Sequence, residues 1–224
     1  MTADLTIPPP TDDSVSTRIC IVRHGETDWN AERRVQGQID IPLNPVGLNQ
    51  AKAAARGLAG ESFSALYSSD LLRARQTAQQ LASRHGLPLR VDAALRERHY
   101  GILQALTAEE ARICHPQASL RHAERDPDYA FEGGESLVAF ARRVLDGFEA
   151  LGRRHAGETL LVVTHGGVLD ILYRHATGRT LQGKRDFAVP NAAFNWLERA
   201  AEGWRVLAWA DRRHLEAALD ELPG

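Results

Sequence analysis

Two histidines stand directly after short apolar runs in the sequence. His24 follows the run 19–22 and Arg23, and His165 follows the run 160–164. Short runs rich in β-branched residues are typical of strands that are buried on both faces. The carboxyl ends of parallel strands meet at one crevice of an α/β sheet, so the pattern places both imidazoles there. Two imidazoles that face one cavity suit either a metal ion or phosphoryl chemistry.

Two arginines favour phosphoryl chemistry over a metal. Arg23 adjoins His24, and Arg73 lies one turn into a helix that is predicted to follow a third short strand at 65–69. Guanidinium groups repel a metal ion, whereas their planar forks match the oxygens of a phosphate. The sequence also lacks the aspartate clusters that a Mg²⁺-dependent phosphatase needs. We therefore expect a phosphate site without a metal.

Glycines beside both strand ends strengthen the prediction of an anion site. Gly25, Gly166 and Gly167 allow backbone amides to approach a ligand closely. The helix predicted after His165 would point its amino end, with its positive partial charge, into the same crevice.

A departing alkoxide needs a proton donor, and Glu97 is the candidate. Spacing alone does not single out Glu97, because it lies between Arg96 and Arg98 and a solvated charge run is the commoner meaning of such a stretch. Each histidine or arginine taken singly is also more often a structural or surface residue. Their combination at strand ends is what favours catalysis.

The elements that carry these residues alternate along the chain. Helices are predicted at about 46–59, 70–85 with Ser69 or Asp70 as its cap, 107–115, 135–155 and 167–177, and a closing hairpin is predicted from 193–197 and 204–209 around Gly203. This alternation predicts an α/β fold: a single domain with a doubly wound, mixed and mostly parallel sheet flanked by helices, with a C-terminal hairpin.

Three segments are distinguished along the chain. Residues 1–17, with their run of three prolines, are predicted to form a flexible lead-in. Residues 18–224 form one domain, since 224 residues allow one substantial core. Residues of about 98–134 show the least regular pattern, and we expect them to form a lid over the substrate.

Composition restricts the partners. The 27 basic and 29 acidic residues leave a net charge of −2, which gives no field to attract nucleic acid or an anionic membrane. No apolar run is long enough to span a bilayer. Cys20 and Cys114 are the only cysteines, and their positions in an apolar run and a predicted helix indicate no disulfide framework. Free cysteines fit a reducing compartment, so we expect a cytoplasmic protein. An edge strand of the sheet, or the helix-like tail at 211–219, could form the interface of a homodimer. Either segment could instead simply face water.

The motif Arg23-His24-Gly25-Glu26-Thr27 resembles that of the histidine phosphatase superfamily, which includes the cofactor-dependent phosphoglycerate mutases. Further blocks follow in the order of that family, and the resemblance covers roughly residues 18–198. The blocks lie at 28–30, 34–37, 40–44, 47–51, 68–78, 97–101, 133–136 and 164–167. The resemblance implies a phosphoglycerate mutase-like domain.

The resemblance also implies roles for the residues that match. His24 would be the nucleophile that forms a phosphohistidine. Arg23, Arg73 and His165 would hold the equatorial oxygens of the transferring phosphoryl group, and Glu97 would be the general acid and base. No metal is implied. Additional contacts to phosphate or substrate would come from Asn30, Gln36, Gly37, Tyr100 and Gly166.

The motifs divide between the two activities of the family. The block 97–101 resembles the mutases. Against this, Gly167 resembles the phosphatases, Ala105 replaces a glycine of the mutases, and the stretch 106–132 is short and lacks their arginine pair for a substrate carboxylate. We therefore expect a metal-independent phosphomonoester hydrolase without a cofactor.

Two alternatives stay open at this point. A cofactor-dependent phosphoglycerate mutase would use 2,3-bisphosphoglycerate, and a non-catalytic binding module could keep the same fold. The expected ligand is a small phosphorylated metabolite in each catalytic case. Cations of the lid segment could favour anionic or sugar groups, and the candidates are Arg98, His99, Arg121, His122 and Arg125.

Overall fold

The computed structural model describes residues 16–219, and the side chains up to Glu216. Residues 1–15 of the predicted lead-in lie outside the described residues, while Thr17 already belongs to the first strand. None of the described helices is long and apolar enough to cross a membrane.

Six strands form one sheet in the order β3-β2-β4-β1-β5-β6. Parallel pairing joins β3, β2, β4 and β1, and antiparallel pairing joins β1, β5 and β6. The mixed, mostly parallel sheet and its C-terminal hairpin are therefore confirmed. The strands are β1 (Thr17–Arg23), β2 (Ala65–Ser68), β3 (Leu89–Val91), β4 (Thr159–Thr164), β5 (Phe194–Ala200) and β6 (Gly203–Asp211).

Helices cover both faces of this sheet, as expected for a doubly wound fold. One face packs against α6 and α7 through residues such as Phe140, Phe148 and Leu169. The other packs against α2 and α3, where Ala54 and Ala78 allow a close approach of the helices. The helices are α1 (Asp28–Ala31), α2 (Pro45–Gly57), α3 (Leu72–His85), α4 (Ala108–Cys114), α5 (Pro116–Ala123), α6 (Leu137–Arg154), α7 (Gly166–Ala176) and α8 (Arg213–Leu219).

The register of β1 and β4 sets the position of the site. These two strands are neighbours in the middle of the sheet, and Arg23 pairs with Thr164 at their carboxyl ends. The backbone N–H of His24 donates to the carbonyl of Thr164 at 2.9 Å. His24 and His165 therefore leave adjacent strands at the same level.

The start of α3 differs from the prediction. Leu71 is its N-cap residue and gives no side-chain cap, whereas Ser69 or Asp70 was expected there. The reason is that Oδ1 of Asp40 accepts from the first N–H of the helix, at Leu72, at 2.5 Å, while Asp70 forms a two-pronged ion pair with Arg96, with distances of 2.7 and 2.5 Å. This long-range pair outweighs the local cap and ties the start of α3 to the segment that carries Glu97.

The segment 98–134 is more regular than its sequence pattern indicates. It contains α4, as predicted, and also α5, which begins at Pro116. Its own small core consists of Leu103, Ala111, Ala118 and Phe131. The segment thus forms a packed cap beside the sheet, and its motion as a lid stays a prediction.

Candidate active site

His24 lies buried at the end of β1, with 3% of its surface exposed. Its Nδ1 is 2.7 Å from the carbonyl oxygen of Gly25. A carbonyl only accepts, so Nδ1 carries the hydrogen and the Nε2 of a neutral ring keeps its lone pair. Burial, followed by the charges of Arg73 and Arg23, lowers the pKa of His24 well below 6.5. The ring is therefore neutral at pH 7 and has one nitrogen available for attack.

Gly25 allows this turn to pack tightly. A Cβ at this position would lie 3.0 Å from the Cα of Gly47 and closer still to its carbonyl oxygen. The N–H of Gly25 donates to Oγ1 of Thr77 at 3.0 Å. The turn after β1 is thereby fixed against both α2 and α3, which holds the His24 ring in place.

Arg73 has an oriented guanidinium beside His24. Its side chain is 1% exposed, and its two terminal nitrogens donate to the carbonyls of Ile39 at 2.9 Å and Gly37 at 2.6 Å. Its Nε has no partner among the described residues. Burial lowers the pKa of Arg73 to about 10, so the group stays charged at neutral pH. The fork is fixed in orientation by backbone carbonyls alone.

Arg23 supplies a second guanidinium from the last position of β1. Its Nη1 donates to the carbonyl of Val189 at 2.6 Å, and its Nε has no partner within residues 16–219. A Cβ at Gly166 would lie 3.3 Å from this Nε, so the bare backbone of Gly166 lets the guanidinium lie close. Burial lowers the pKa of Arg23 to about 10, which still leaves it charged.

His165 completes the cluster. It is fully buried, its ring centroid lies 5.2 Å from that of His24, and neither of its nitrogens has a hydrogen-bond partner in the described part of the chain. Buried polar atoms without a partner are costly, and proteins keep them where a ligand uses them. Burial, then Arg73 and His24, lower the pKa of His165 well below 6.5. Its ring offers one N–H to an anion.

Glu97 approaches the cluster from the loop after β3. Its Oε2 accepts from the N–H of Gly167 at 2.8 Å, and its Oε1 accepts from the N–H of Arg98 at 2.8 Å. The carboxylate thus sits at the amino end of α7, where the helix dipole favours a negative charge. The structure brings Glu97 together with Arg23, as expected from the sequence.

The absence of a side chain at Gly167 is required for this contact. A Cβ there would lie 2.9 Å from the Cδ of Glu97 and closer still to Oε1. Real Cβ atoms essentially never come that close, so any other residue at 167 would displace the carboxylate. The glycine that distinguishes this motif therefore has a direct structural role.

Arg143 holds the Glu97 loop from behind, a role that the sequence analysis did not predict. Its guanidinium donates to the carbonyls of Ala94 and Arg96 at 3.0 Å and of Glu97 at 3.2 Å. The same group forms a two-pronged pair with Glu135 at 2.9 Å. These contacts cross from α6 to a distant loop, so no local sequence pattern could have revealed them.

Two of the predicted phosphate contacts, Asn30 and Gly37, have other observed partners, and a third, Gln36, does not. The Oδ1 of Asn30 accepts from Thr27 and thereby closes the capping box of α1. The carbonyl of Gly37 accepts from Arg73. The Oε1 of Gln36 is buried and has no partner in the described residues. Direct contact of these three residues with phosphate stays a prediction.

A pocket of about 340 Å³ adjoins the cluster. It shares Arg23, Glu97 and Gly166 with the site described above, whereas His24, Arg73 and His165 are not among its lining residues. Burial raises the pKa of Tyr100 in its wall, so that phenol stays protonated. The lining consists of Arg23, Glu97, Arg98, Tyr100, His122, Arg125, Leu137, Phe140, Gly166, Gly167, Asp170, Arg185 and Val189.

The basic residues that were expected to lie in the lid divide into two groups. Arg98, His122 and Arg125 line the pocket. Arg121 does not, because it pairs with Asp126 at 3.2 Å on the surface, and the Nδ1 of His99 accepts from the backbone of its own turn. Arg185, which the sequence analysis did not single out, lines the pocket from the loop between α7 and β5.

The arrangement suits phosphoryl transfer. A neutral imidazole with a free nitrogen lies among two oriented guanidinium groups and a second buried imidazole, and a carboxylate stands between them and an adjoining pocket. Among residues 16–219, no three His, Cys, Asp or Glu side chains are grouped so that they could hold a metal ion.

Comparison of the sequence with known proteins gives relatives along most of the chain. It is 40% identical over 208 residues to a metal-independent phosphoserine phosphatase of Arabidopsis thaliana, covering 92% of this chain and 86% of that protein. It is 39% identical over 201 residues to phosphoglycerate mutase-like protein 4 of the same plant, covering 88% and 86%. A probable phosphoglycerate mutase of Yersinia pestis is 33% identical over 219 residues, covering 92% and 98%.

Solved structures agree in fold. A mycobacterial glucosyl-3-phosphoglycerate phosphatase superposes with a TM-score of 0.74 at 33% identity, covering 88% of this chain and 100% of that one. The protein YhfR of Bacillus stearothermophilus superposes with a TM-score of 0.83 at 31% identity, covering 89% and 99%. The predictions of a phosphoglycerate mutase-like fold and a phosphatase are confirmed. A family model for the histidine phosphatase superfamily, branch 1, matches residues 19–212, and the chain belongs to that superfamily.

Proposed function

We propose that this chain is a metal-independent phosphomonoesterase that transfers the phosphoryl group first to Nε2 of His24 and then to water. The observation that carries the proposal is the bond from Nδ1 of His24 to the carbonyl of Gly25. This bond leaves Nε2 as the free nitrogen, in a site where Arg23, Arg73 and His165 each have a nitrogen without a partner among residues 16–219.

In the first step, Nε2 of His24 attacks phosphorus, and the bond from phosphorus to the leaving oxygen breaks as the new bond forms. Negative charge is spread over the three equatorial oxygens in the transition state. The guanidinium groups of Arg23 and Arg73 and the N–H of His165 stabilise that charge. They are held before the substrate arrives, so little reorganisation is needed during the reaction.

Glu97 handles the proton in both steps. As a carboxylic acid it donates its proton to the departing alkoxide, which leaves as an alcohol. As a carboxylate it then accepts a proton from the water that attacks the phosphohistidine. The bond from phosphorus to Nε2 breaks, inorganic phosphate leaves, and Glu97 is protonated again. The N–H groups of Gly167 and Arg98 hold the carboxylate in place throughout.

The lid segment supports the phosphatase over the mutase alternative. Arg121 and Arg125 are the two arginines of the lid segment that could take the place of the missing arginine pair of the mutases. Arg121 forms a surface pair with Asp126, and Arg125 donates to Asp170 at 2.5 Å and to the carbonyl of Leu181 at 2.7 Å. Neither is left to form the arginine pair by which the mutases bind their substrate, which is why we favour water as the final acceptor.

The pocket of about 340 Å³ fits a small leaving group. We therefore propose a small phosphorylated metabolite as substrate, in line with the phosphoserine and glucosyl-3-phosphoglycerate that name two related proteins. We call Arg23, His24, Arg73 and His165 the phosphoryl clamp. Metal independence is part of the proposal, because this clamp consists of guanidinium and imidazole groups alone. A cytoplasmic location and a homodimer stay predictions.

The test is a His24→Ala variant assayed for phosphate release from phosphoserine and p-nitrophenyl phosphate in the presence of a chelator. We expect the wild type to keep its rate under chelation and the variant to lose at least about a thousandfold, with an unchanged circular dichroism spectrum. Substantial activity of the folded variant, or a chelator-sensitive wild type, would contradict the proposal.

A parallel assay addresses the mutase alternative. The wild type is given 3-phosphoglycerate with and without 2,3-bisphosphoglycerate, and both phosphate and 2-phosphoglycerate are followed. Phosphate release without the bisphosphate supports a phosphatase, and bisphosphate-dependent formation of 2-phosphoglycerate would establish the mutase instead.

A further inference from the structure

The pocket beside Glu97 has more positive than negative groups in its wall. Four arginines line it, and the carboxylates in the same lining are those of Glu97 and Asp170. Arg23 belongs to the proposed phosphoryl clamp. The other arginines, Arg98, Arg125 and Arg185, surround the space that the leaving group would occupy.

Arg125 is engaged in an ion pair within the protein. Its Nη2 donates to Oδ2 of Asp170 at 2.5 Å, while Arg174 donates to Oδ1 of the same carboxylate at 3.2 Å. Asp170 is 4% exposed, so this shared pair is shielded from water. Asp170 therefore cannot balance a further cation of the pocket.

Arg98 is fixed as part of the wall. Its Nε and Nη2 donate to the carbonyl of Glu135 at 3.1 and 2.8 Å, and its guanidinium lies 4.5 Å from the ring centroid of Phe131. None of the ion pairs of the described residues includes it. It supplies a charge of fixed position and has little freedom to follow a ligand.

Arg185 differs from both. It is exposed on the loop between α7 and β5, lines the pocket, and forms no hydrogen bond, ion pair or ring contact with any residue of 16–219. Its charge also reaches into the site: burial lowers the pKa of Arg23 to about 10, and repulsion from Arg185 contributes to that lowering. A cation held near other cations without a counter-ion is a suitable partner for an anion of the substrate.

We infer that Arg185 binds a carboxylate on the leaving group, so that the preferred substrates are phosphate monoesters of small hydroxy acids. The inference rests on the proposed phosphomonoesterase activity. A carboxylate fits the planar fork of a guanidinium through two parallel hydrogen bonds. A polyhydroxyl leaving group fits less well. One part of the wall is formed by the apolar side chains of Leu137, Phe140 and Val189, which cannot form hydrogen bonds with hydroxyl groups.

A matched pair of substrates tests the inference. 3-Phosphoglycerate and glycerol 3-phosphate have the same carbon skeleton. The first has a carboxylate where the second has a hydroxymethyl group. We expect kcat/KM of the wild type to be at least about tenfold higher for 3-phosphoglycerate, and Arg185→Gln to remove most of that preference through KM. The loss in kcat/KM with glycerol 3-phosphate should be several-fold smaller than the loss with 3-phosphoglycerate. Phosphoserine against phosphoethanolamine provides a second pair.

Lys184→Gln is the matched control, because Lys184 is the exposed neighbour of Arg185 and does not line the pocket. It removes the same charge and should leave the preference intact. Equal losses for both substrates in Arg185→Gln, or a wild type with no preference in either pair, would overturn the inference. Hydrolysis of p-nitrophenyl phosphate that depends on His24 would leave the proposed function standing in that case.

Discussion

The proposed phosphoryl clamp and the proposed leaving-group pocket are built in different ways. The clamp consists of Arg23, His24, Arg73 and His165, whose backbones lie at the ends of central strands or in the first turn of α3. Backbone carbonyls orient three of these four side chains. The pocket combines residues of β1, α6 and α7 with loops and with the segment 98–134, and Arg185 in its wall is exposed.

We expect this difference in construction to assign the reaction and the choice of substrate to different parts of the molecule. A rigid scaffold keeps the reacting groups at fixed distances, which transition-state stabilisation requires. Loops tolerate substitution more readily, so the part of the wall that loops form can change its charge without disturbing the clamp. In the proposed function, the general phosphate chemistry thus belongs to the sheet, and the identity of the substrate belongs to the surrounding segments.

Gly167 lies at the junction of the two regions. Its replacement should have a larger effect on the protein than a change of pH, because it acts directly on the general acid. Gly167→Ala puts a methyl group where the Glu97 carboxylate stands. We expect kcat for an alkyl phosphate to fall by about a hundredfold, the usual contribution of a general acid. The loss should be much smaller for p-nitrophenyl phosphate, whose leaving group departs readily as an anion.

A double-mutant cycle with Glu97→Ala separates this effect from general damage. In a chain without the carboxylate, the methyl group at 167 has nothing to displace. Gly167→Ala should then cost almost nothing further, so the two effects are strongly non-additive. Additive losses, or equal losses for both substrates, would show that Gly167 acts on the fold or the clamp and not through Glu97.

The buried histidines of the clamp should give a smaller, pH-dependent effect on stability. Burial, with the nearby arginines, holds the pKa values of His24 and His165 well below 6.5. As pH falls through 6.5, the unfolded chain takes up protons on these rings while the folded protein does not. The unfolded state then binds more protons, so the free energy of unfolding decreases.

Urea unfolding at pH 7.5 and pH 5.5 measures this decrease. The midpoint of the wild type should be lower at pH 5.5. His165→Gln, which removes one of the two groups, should show a smaller shift between the two pH values. A midpoint that is unchanged or higher at pH 5.5 would contradict the burial of neutral rings in the clamp.

The clamp could be predicted from sequence because its signals are local. An apolar run, an abrupt end and a histidine next to arginine or glycine locate His24 and His165 on two strands, and parallel topology brings them together. Arg73 follows from its position one turn into the helix after β2. Each inference uses residues within a few positions of one another, where strand and helix periodicity hold.

The pocket and the support of Glu97 depend on contacts between distant segments. Arg143 is 46 residues from Glu97, which it holds through a carbonyl. Arg185 reaches the pocket from a loop that no motif marks. The cap of α3 was predicted wrongly for the same reason, because the pair of Asp70 with Arg96 spans 26 residues. The three-residue strand β3 and the helix α5 are too short to give a clear periodic pattern.

The central claim is that Nε2 of His24 carries the phosphoryl group between substrate and water. Rapid quenching into alkali during turnover of a ³²P-labelled phosphomonoester, followed by peptide mapping, tests it most directly. A phosphohistidine is stable in alkali and labile in acid. We predict that the label lies on Nε2 of His24, and that it is absent from His24→Ala. Label on His165, or single-turnover hydrolysis with no labelled enzyme at any time, would contradict the account.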